Sequence, residues 1–272
     1  MNLLLAGHGY LGTAVAATFR EAGWEVTPVS LTGNAEIIAC DLGNAKAVRN
    51  LPAADLIIHC AASGRGGPEA YRHVYVEGCR NLTESFPGVP LIFTSSTSVY
   101  VQTDGAWVDE ASPAEPDRET GKLLLEAENI TLAAGGIVAR LAGLYGPGRS
   151  VILQKFHAGE SVIEDDGGRW LNQIHRDDAA RALLALARSQ QRGEIFNVSD
   201  STPLTQLDCH SHLSEIFSRP LPRHGPRDPN RKRGWTSKRV SNAKLTSLGW
   251  QPQYPSFLDA VRSTDLRSTR VD

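Results

Sequence analysis

The stretch Asn2-Leu3-Leu4-Leu5-Ala6-Gly7-His8-Gly9-Tyr10-Leu11-Gly12 decides the fold. An unbroken apolar run that stops in glycines reads as a short buried strand. Beyond it Leu11, Ala14, Val15, Thr18 and Phe19 recur at the three- and four-residue spacing of one helix face, and Gly23 closes the pattern as a C-terminal cap. Gly7, Gly9 and Gly12 fit G-x-G-x-x-G, a weak signal alone but a specific one between a strand and a helix. The first glycine permits the tight turn, the second admits a pyrophosphate, and the third lets helix and strand pack closely. The helix N-terminus adds free amides and a positive dipole end. Gly7, Gly9, Tyr10, Leu11 and Gly12 are therefore expected to cradle a dinucleotide.

Working outward, further apolar runs lie at Glu25 to Val29, Glu36 to Cys40, Asp55 to Cys60, Leu91 to Thr94 and Gly136 to Arg140. Helical patterns separate most of them, the clearest at Pro68 to Ser85 and Arg118 to Ala134. This alternation predicts an α/β fold, a Rossmann doubly wound parallel sheet. Pro28 conflicts locally, because it lacks an amide donor; a strand ending near Val26 is one escape. After Tyr145 the regularity weakens through Gly146-Pro147-Gly148. Trp170 to His175 and Glu194 to Val198 then read as strands flanking a helix from Asp177 to Arg188, which returns the chain to the sheet. The expected organisation is a dinucleotide-binding domain over 1–145 and 170–199, with a smaller C-terminal substrate lobe over 146–169 and 200–272.

The 272 residues, 41% hydrophobic and 21% charged, exclude wholesale disorder, and a net charge of -2 argues against a general nucleic-acid or membrane-surface binder. No run reaches the ~18 apolar residues of a membrane span, and the first apolar run, Leu3 to Ala6, lacks the basic flank and length of a signal peptide, so a cytoplasmic location is expected. Cys40, Cys60, Cys79 and Cys209 form no C-x-x-C pair and read as reduced structural thiols, without a metal cluster. Residues 219 to 239 hold eight basic side chains and one acid in a proline-rich stretch. Its cations, Arg231 among them, could converge on an anionic ligand, although a solvated surface loop is as good a reading.

A site that prefers NAD usually places Asp or Glu about 20 residues past the glycines, on the ribose hydroxyls. Here Val29-Ser30-Leu31-Thr32-Gly33-Asn34 offers no carboxylate, and Ser30, Thr32 and Asn34 could donate to a 2′-phosphate. NADP is slightly favoured and NAD stays open, since no local arginine meets the phosphate.

At this point the chain resembles the extended short-chain dehydrogenase/reductases of the NAD-dependent epimerase/dehydratase superfamily, and more narrowly an atypical YeeZ-like bacterial subgroup. Ordered matches run through the glycine turn, Cys40-Asp41-Leu42, His59-Cys60-Ala61-Ala62, and Phe93-Thr94-Ser95-Ser96-Thr97-Ser98-Val99-Tyr100. They continue through Arg140-Leu141-Ala142-Gly143-Leu144-Tyr145-Gly146-Pro147-Gly148, Ile174-His175-Arg176-Asp177-Asp178, Phe196-Asn197-Val198 and Leu248-Gly249-Trp250-Gln251-Pro252. The resemblance implies that Asp41 and Leu42 border the adenine, that Ala61, Ala62, Ser95 and Leu144 lie along the cofactor path, and that Ser96 is the catalytic hydroxyl. It also implies a homodimer.

The family's acid/base tyrosine stands four residues before a lysine, whose ammonium lowers the phenol pKa and grips the nicotinamide ribose. Lys122 fits that lysine, but Arg118 stands where the tyrosine should be. A guanidinium is always protonated near neutral pH and cannot act as a general base. Tyr75, where the family commonly has asparagine, and Tyr100 could supply the phenol; Tyr145 competes from the loop facing the lobe. Arg118 could instead bind an anionic substrate together with Tyr145 and Arg231.

The expected function is an NAD(P)-dependent oxidoreductase or epimerase acting on a hydroxyl or carbonyl of a small polar, anionic or sugar-like substrate, with Ser96, Lys122, Tyr75 and Tyr100 as catalytic candidates. The alternative is a non-catalytic NADP(H)-binding sensor that kept the cofactor site and lost the proton relay. No nucleic-acid, membrane or metal partner is expected.

Overall fold

The apolar runs become the strands of one parallel sheet in the computed structural model, which describes residues 1–64, 66–228, 235–263 and 266. Its seven strands are β1 (Asn2–Ala6), β2 (Glu25–Ser30), β3 (Ile38–Ala39), β4 (Leu56–His59), β5 (Leu91–Ser96), β6 (Ile137–Leu141) and β7 (Ile195–Val198). They lie in the order β3-β2-β1-β4-β5-β6-β7. The order reverses between β1 and β4, which opens a crevice at their C-terminal ends, where such sheets bind ligands. Three helices matter for the site: α1 (Tyr10–Glu21), α2 (Glu119–Ala133) and α3 (Arg176–Arg188). α1 and α3 cover one face, burying Val15, Phe19, Ala179 and Leu183 against Leu3, Leu5 and Ile58. Among the described residues no helix is long and apolar enough to cross a membrane.

Pro28 stays inside β2, where it sits opposite Leu5. Carbonyl direction explains why this is tolerated. Val29 O accepts from Gly7 N on the β1 side, so the alternating backbone turns Pro28 towards β3. β3 is only two residues long and begins pairing at Val29, so no ladder bond needs the missing amide. The expected third strand from Glu36 shrinks to Ile38–Ala39 because Asn34 Oδ1 folds the preceding segment into a turn by accepting from Glu36 N and Ile37 N.

Two expectations of organisation are corrected. Trp170 to His175 is not one strand of the main sheet: Trp170–Leu171 pairs with Leu204–Thr205, and Gln173–His175 pairs with Gly143–Tyr145. Asn172 interrupts the run because its side chain bonds Lys238 O and Val240 N instead. Nor does the lobe own all of 200–272, since Leu245 and Trp250 pack into the core of the main sheet. A separate core is built from Leu153, Phe156, Cys209, Leu213, Phe257 and Val261, and Tyr145 joins it.

The helix expected over Pro68 to Ser85 changes pitch in its middle, where Arg72–Glu77 is π-helical. The cause is tertiary. The fully buried His59 at the end of β4 places Nε2 2.9 Å from Val74 O. A carbonyl engaged by a side chain is drawn out of the regular ladder, and the wider turn follows. Burial drops the imidazole to about 4, so it is neutral at physiological pH and Nε2–H donates.

Candidate functional site

Because the strands are parallel, the glycine turn after β1, Ser30 at the end of β2, Ala61 and Ala62 after β4, and Ser96 at the end of β5 all lie at one end of the sheet. The glycine turn is built as its spacing requires. Gly7 has φ +112°, and a Cβ there would stand 2.1 Å from Ala61 N. A Cβ on Gly12 would stand 1.9 Å from Gly7 O, so these two glycines are fixed by close packing. Gly9 differs: nothing lies within 4 Å of the place its Cβ would take, directly in front of the first turn of α1. The amides of that turn therefore face open space, and a dinucleotide pyrophosphate fits these residues.

Around this turn stand two cations that the sequence reading did not single out. The guanidinium groups of Arg149 and Arg176 each lie 5.1 Å from the centre of the Tyr10 ring. Burial raises the Tyr10 phenol above its ordinary value, and the charges of Arg176 and Arg149 oppose that rise. The signal for Arg149 was its place directly after Gly146-Pro147-Gly148, but only tertiary structure reveals the stacking.

At the end of β2 the Ser30 hydroxyl donates to Thr32 O, which occupies one of the expected 2′-phosphate donors. Asp41 Oδ1 accepts from Gly43 N at 3.0 Å and lies 2.7 Å from His73 Nε2, while Leu42 O accepts from Asn81 at 2.8 Å. Ala61 is half-buried and Ala62 exposed. Ser96 is half-buried, and its Oγ accepts from Ser98 N as the cap of a short 3₁₀ turn. Tyr75, on the π-helical segment, accepts from Ser63 N at 3.1 Å, which ties its phenol to the loop after β4. Its ring packs edge-on against Tyr71 at 5.1 Å.

Lys122 is exposed in the first turns of α2, and its amide donates to Arg118 O. Arg118 is the exposed, extended cap residue of that helix. The two side chains thus hang from differently shaped backbone, unlike a pair four apart on one helix face.

Several expected site residues are elsewhere. Tyr100 is fully buried; its hydroxyl donates to Asn197 Oδ1 at 3.0 Å and accepts from Arg140 at 2.9 Å, which takes it out of the cleft. Ser95 turns inward and bonds Glu128 Oε1, whose carboxylate pairs with Arg140 at 2.6 Å. Tyr145 is 1% exposed, packed between His175 and Phe257 in the second core, so it presents no surface to a substrate. Burial first, and then the Asp200 charge, push its phenol up. Leu144 is half-buried in the strand Gly143–Tyr145, packed against the main core. Arg231 lies outside the described residues.

Beneath Tyr145, Asp200 is 3% exposed, and burial raises its carboxyl well above the usual range against the pull of the Phe257 and Thr202 amides. A raised folded pKa means that stability is fully present below the unfolded value near 3.8 and declines as pH rises towards the folded one. Asp200→Asn removes that loss. The melting temperature of the variant relative to wild type is expected to climb as pH rises from about 4 to 7; a difference that stays flat across that range would contradict the assignment.

In the lobe a cavity of about 630 Å³ is lined by Lys155, Arg169, Arg223, Glu164, Gln206 and His210, among others. Arg227 is met by Asp165 and stacks on Trp235.

Comparison with known proteins agrees with this fold. The family model described as the NAD dependent epimerase/dehydratase family matches residues 3–199. Protein YeeZ of Escherichia coli K12 is 26% identical, over 94% of this chain and 97% of its own length. UDP-glucose 4-epimerase of Corynebacterium glutamicum is also 26% identical, over 99% of this chain and 93% of its own. Among solved structures, a candidate NAD-dependent epimerase/dehydratase from Methylobacillus flagellatus superposes with a TM-score of 0.76 at 27% identity, covering 96% of each chain. Human epimerase family protein SDR39U1, solved with NADPH, superposes at 0.81 with 19% identity, covering 96% of this chain and 98% of its own, a likeness of fold.

Proposed function

The chain belongs to the NAD dependent epimerase/dehydratase family, and from that premise we propose that it moves hydride between NAD(P) and a hydroxyl or carbonyl of a small polar, anionic or sugar-like substrate. One observation carries the reading: the open space at Gly9, the Ser96 hydroxyl and the Tyr75 phenol gather at the C-terminal end of a single parallel sheet. When bound, the nicotinamide accepts or returns the hydride.

The chain's own residues do the rest. Amides of the first turn of α1 hold the pyrophosphate, and Lys122 grips the ribose. Ser96 orients the reacting oxygen with its hydroxyl. Tyr75 moves the proton; in its bond with Ser63 the phenol oxygen accepts, so its own O–H stays available. NADP is the proposed cofactor and NAD its competitor, because the end of β2 carries Thr32 and Asn34 and no carboxylate.

The second reading, an NADP(H)-binding sensor without turnover, is favoured by Arg118, an exposed cation where the proton relay needs a phenol. Variants separate the two. Ser96→Ala and Tyr75→Phe are expected to lower turnover of a responsive sugar or carbonyl substrate by about 10² to 10⁴-fold at unchanged NADPH affinity. Lys122→Met is expected to weaken NADPH binding by roughly ten- to a hundredfold as well. Unchanged NADPH affinity in a folded Lys122→Met protein would remove Lys122 from the site, and full turnover in Tyr75→Phe would remove Tyr75.

A further inference from the structure

The end of β4 grips two adjacent residues of the π-helical turn. Ser63 N donates to the Tyr75 phenol oxygen at 3.1 Å, and the fully buried His59 donates through Nε2 to Val74 O at 2.9 Å. In an α-helix Val74 O would accept from Gly78 N. Here Gly78 N donates to Tyr75 O, so the imidazole stands at a carbonyl that this amide has left. Gly78 is also what lets the ring come so close, because a Cβ there would stand 3.0 Å from Nε2.

The imidazole is committed to this one bond. Its other nitrogen, Nδ1, is buried and has no hydrogen-bond partner. Burial keeps the ring neutral, and a proton on Nδ1 would be an orphaned donor, so the single ring proton belongs on Nε2, facing Val74 O. The ring itself is wedged, 5.3 Å from the Phe93 ring and 6.2 Å from that of Tyr75. A π-turn spends one residue more than an α-turn, so the helix before it is rotated by up to about 100° against the helix behind it. Behind it Cys79 and Leu82 are fully buried, which fixes that half in the core. The rotation therefore falls on the half that carries Tyr71 and Tyr75.

We propose that His59 is a positioning residue: its bond to Val74 O, admitted by Gly78, holds the π-turn in the register that brings the Tyr75 phenol to the loop after β4. This rests on reading Tyr75 as the group that moves the proton. His59 touches neither cofactor nor substrate and acts through Tyr75 alone. Without the donor, Val74 O is free to take back Gly78 N, and the turn relaxes towards an α-helix that carries the phenol away from Ser63.

The test removes the donor and reads Tyr75 directly. The protein is labelled with 3-fluorotyrosine, and the fluorine resonance missing from Y75F identifies Tyr75. H59L is expected to shift that resonance, whereas H59Q, whose side-chain amide reaches the place of Nε2, returns it to the wild-type position. With a responsive sugar or carbonyl substrate, H59L is expected to lower kcat by about tenfold or more, with KM and NADPH affinity within about threefold of wild type. H59Q restores kcat, and H59L adds nothing to the loss already present in Y75F. A histidine that served only stability would add its effect to that of Y75F.

An unmoved Tyr75 resonance in folded H59L, an H59Q protein as impaired as H59L, or a further loss on top of Y75F overturns the proposal. If H59L fails to fold, G78A decides by the same resonance, since its Cβ presses on Nε2; an unchanged position there is equally fatal. Where no substrate responds, the resonance alone decides. Full turnover in Y75F together with a displaced resonance in H59L removes Tyr75 from the chemistry and leaves the hold of His59 on the turn in place, so the two failures give different results.

Discussion

Gly9→Asp is expected to abolish dinucleotide binding, at least a hundredfold or about 2.8 kcal/mol, while leaving the melting temperature close to that of wild type. The two halves of this expectation come from the same geometry. At Gly9 the backbone has φ −93°, which any residue adopts, and nothing lies within 4 Å of a Cβ, so the folded chain accepts a side chain. The added carboxylate then stands where a pyrophosphate would, and two anions cannot share the helix N-terminus. Gly7→Ala and Gly12→Ala behave differently. Their new Cβ atoms would meet backbone at 2.1 Å and 1.9 Å, so stability falls together with binding. NADPH fluorescence titration alongside thermal melting checks the contrast. Retained binding in Gly9→Asp would show that the turn is only a tight strand-to-helix connection.

The second large effect lies under the site. Glu128 is 1% and Arg140 4% exposed, and they share a forked contact in which both Nε and Nη2 of Arg140 donate to the carboxylate. Ser95 from β5 and Tyr100 join them, and Asn197 from β7 closes the network through Tyr100. One carboxylate on α2 thus ties together the strand that ends in Ser96 and the helix that carries Lys122. Glu128→Gln leaves the Arg140 charge buried without its counterion, at a cost of roughly 3 to 5 kcal/mol. For a chain of this size that lowers the melting temperature by about 10 °C. Exchanging both partners for apolar residues of similar volume is expected to recover much of the loss. Denaturant and thermal unfolding measure it; a change below about 1 kcal/mol in Glu128→Gln would mean that the pair is not holding β5 to α2.

What the sequence could disclose follows from the range of the forces involved. Strand, glycine turn and helix at Asn2–Glu21 are set by local periodicity and by glycine sterics, and both are visible in those twenty letters. Side-chain direction is another matter. Ser-x-x-x-Tyr spacing put Tyr100 near Ser96, but the 3₁₀ turn at Thr97–Val99 rotates Tyr100 into the interior, where Arg140 and Asn197 wait from strands 40 and 97 residues away. Tyr145 shared the same fate through the second core. The π-helical turn that presents Tyr75 depends on a bond from His59 to Val74, and no helical periodicity announces it.

The most direct observation is the state of the nicotinamide on the protein itself. Wild type loaded with oxidised NADP or NAD is mixed with a panel of nucleoside-diphosphate sugars, sugar acids and simple polyols, and the absorbance of reduced nicotinamide is followed. Hydride transfer requires a reduced-cofactor signal with at least one of these substrates, strongly diminished in Tyr75→Phe and in Ser96→Ala. A protein that binds the cofactor tightly and reduces none of it, with every member of the panel, contradicts the enzyme and leaves the sensor.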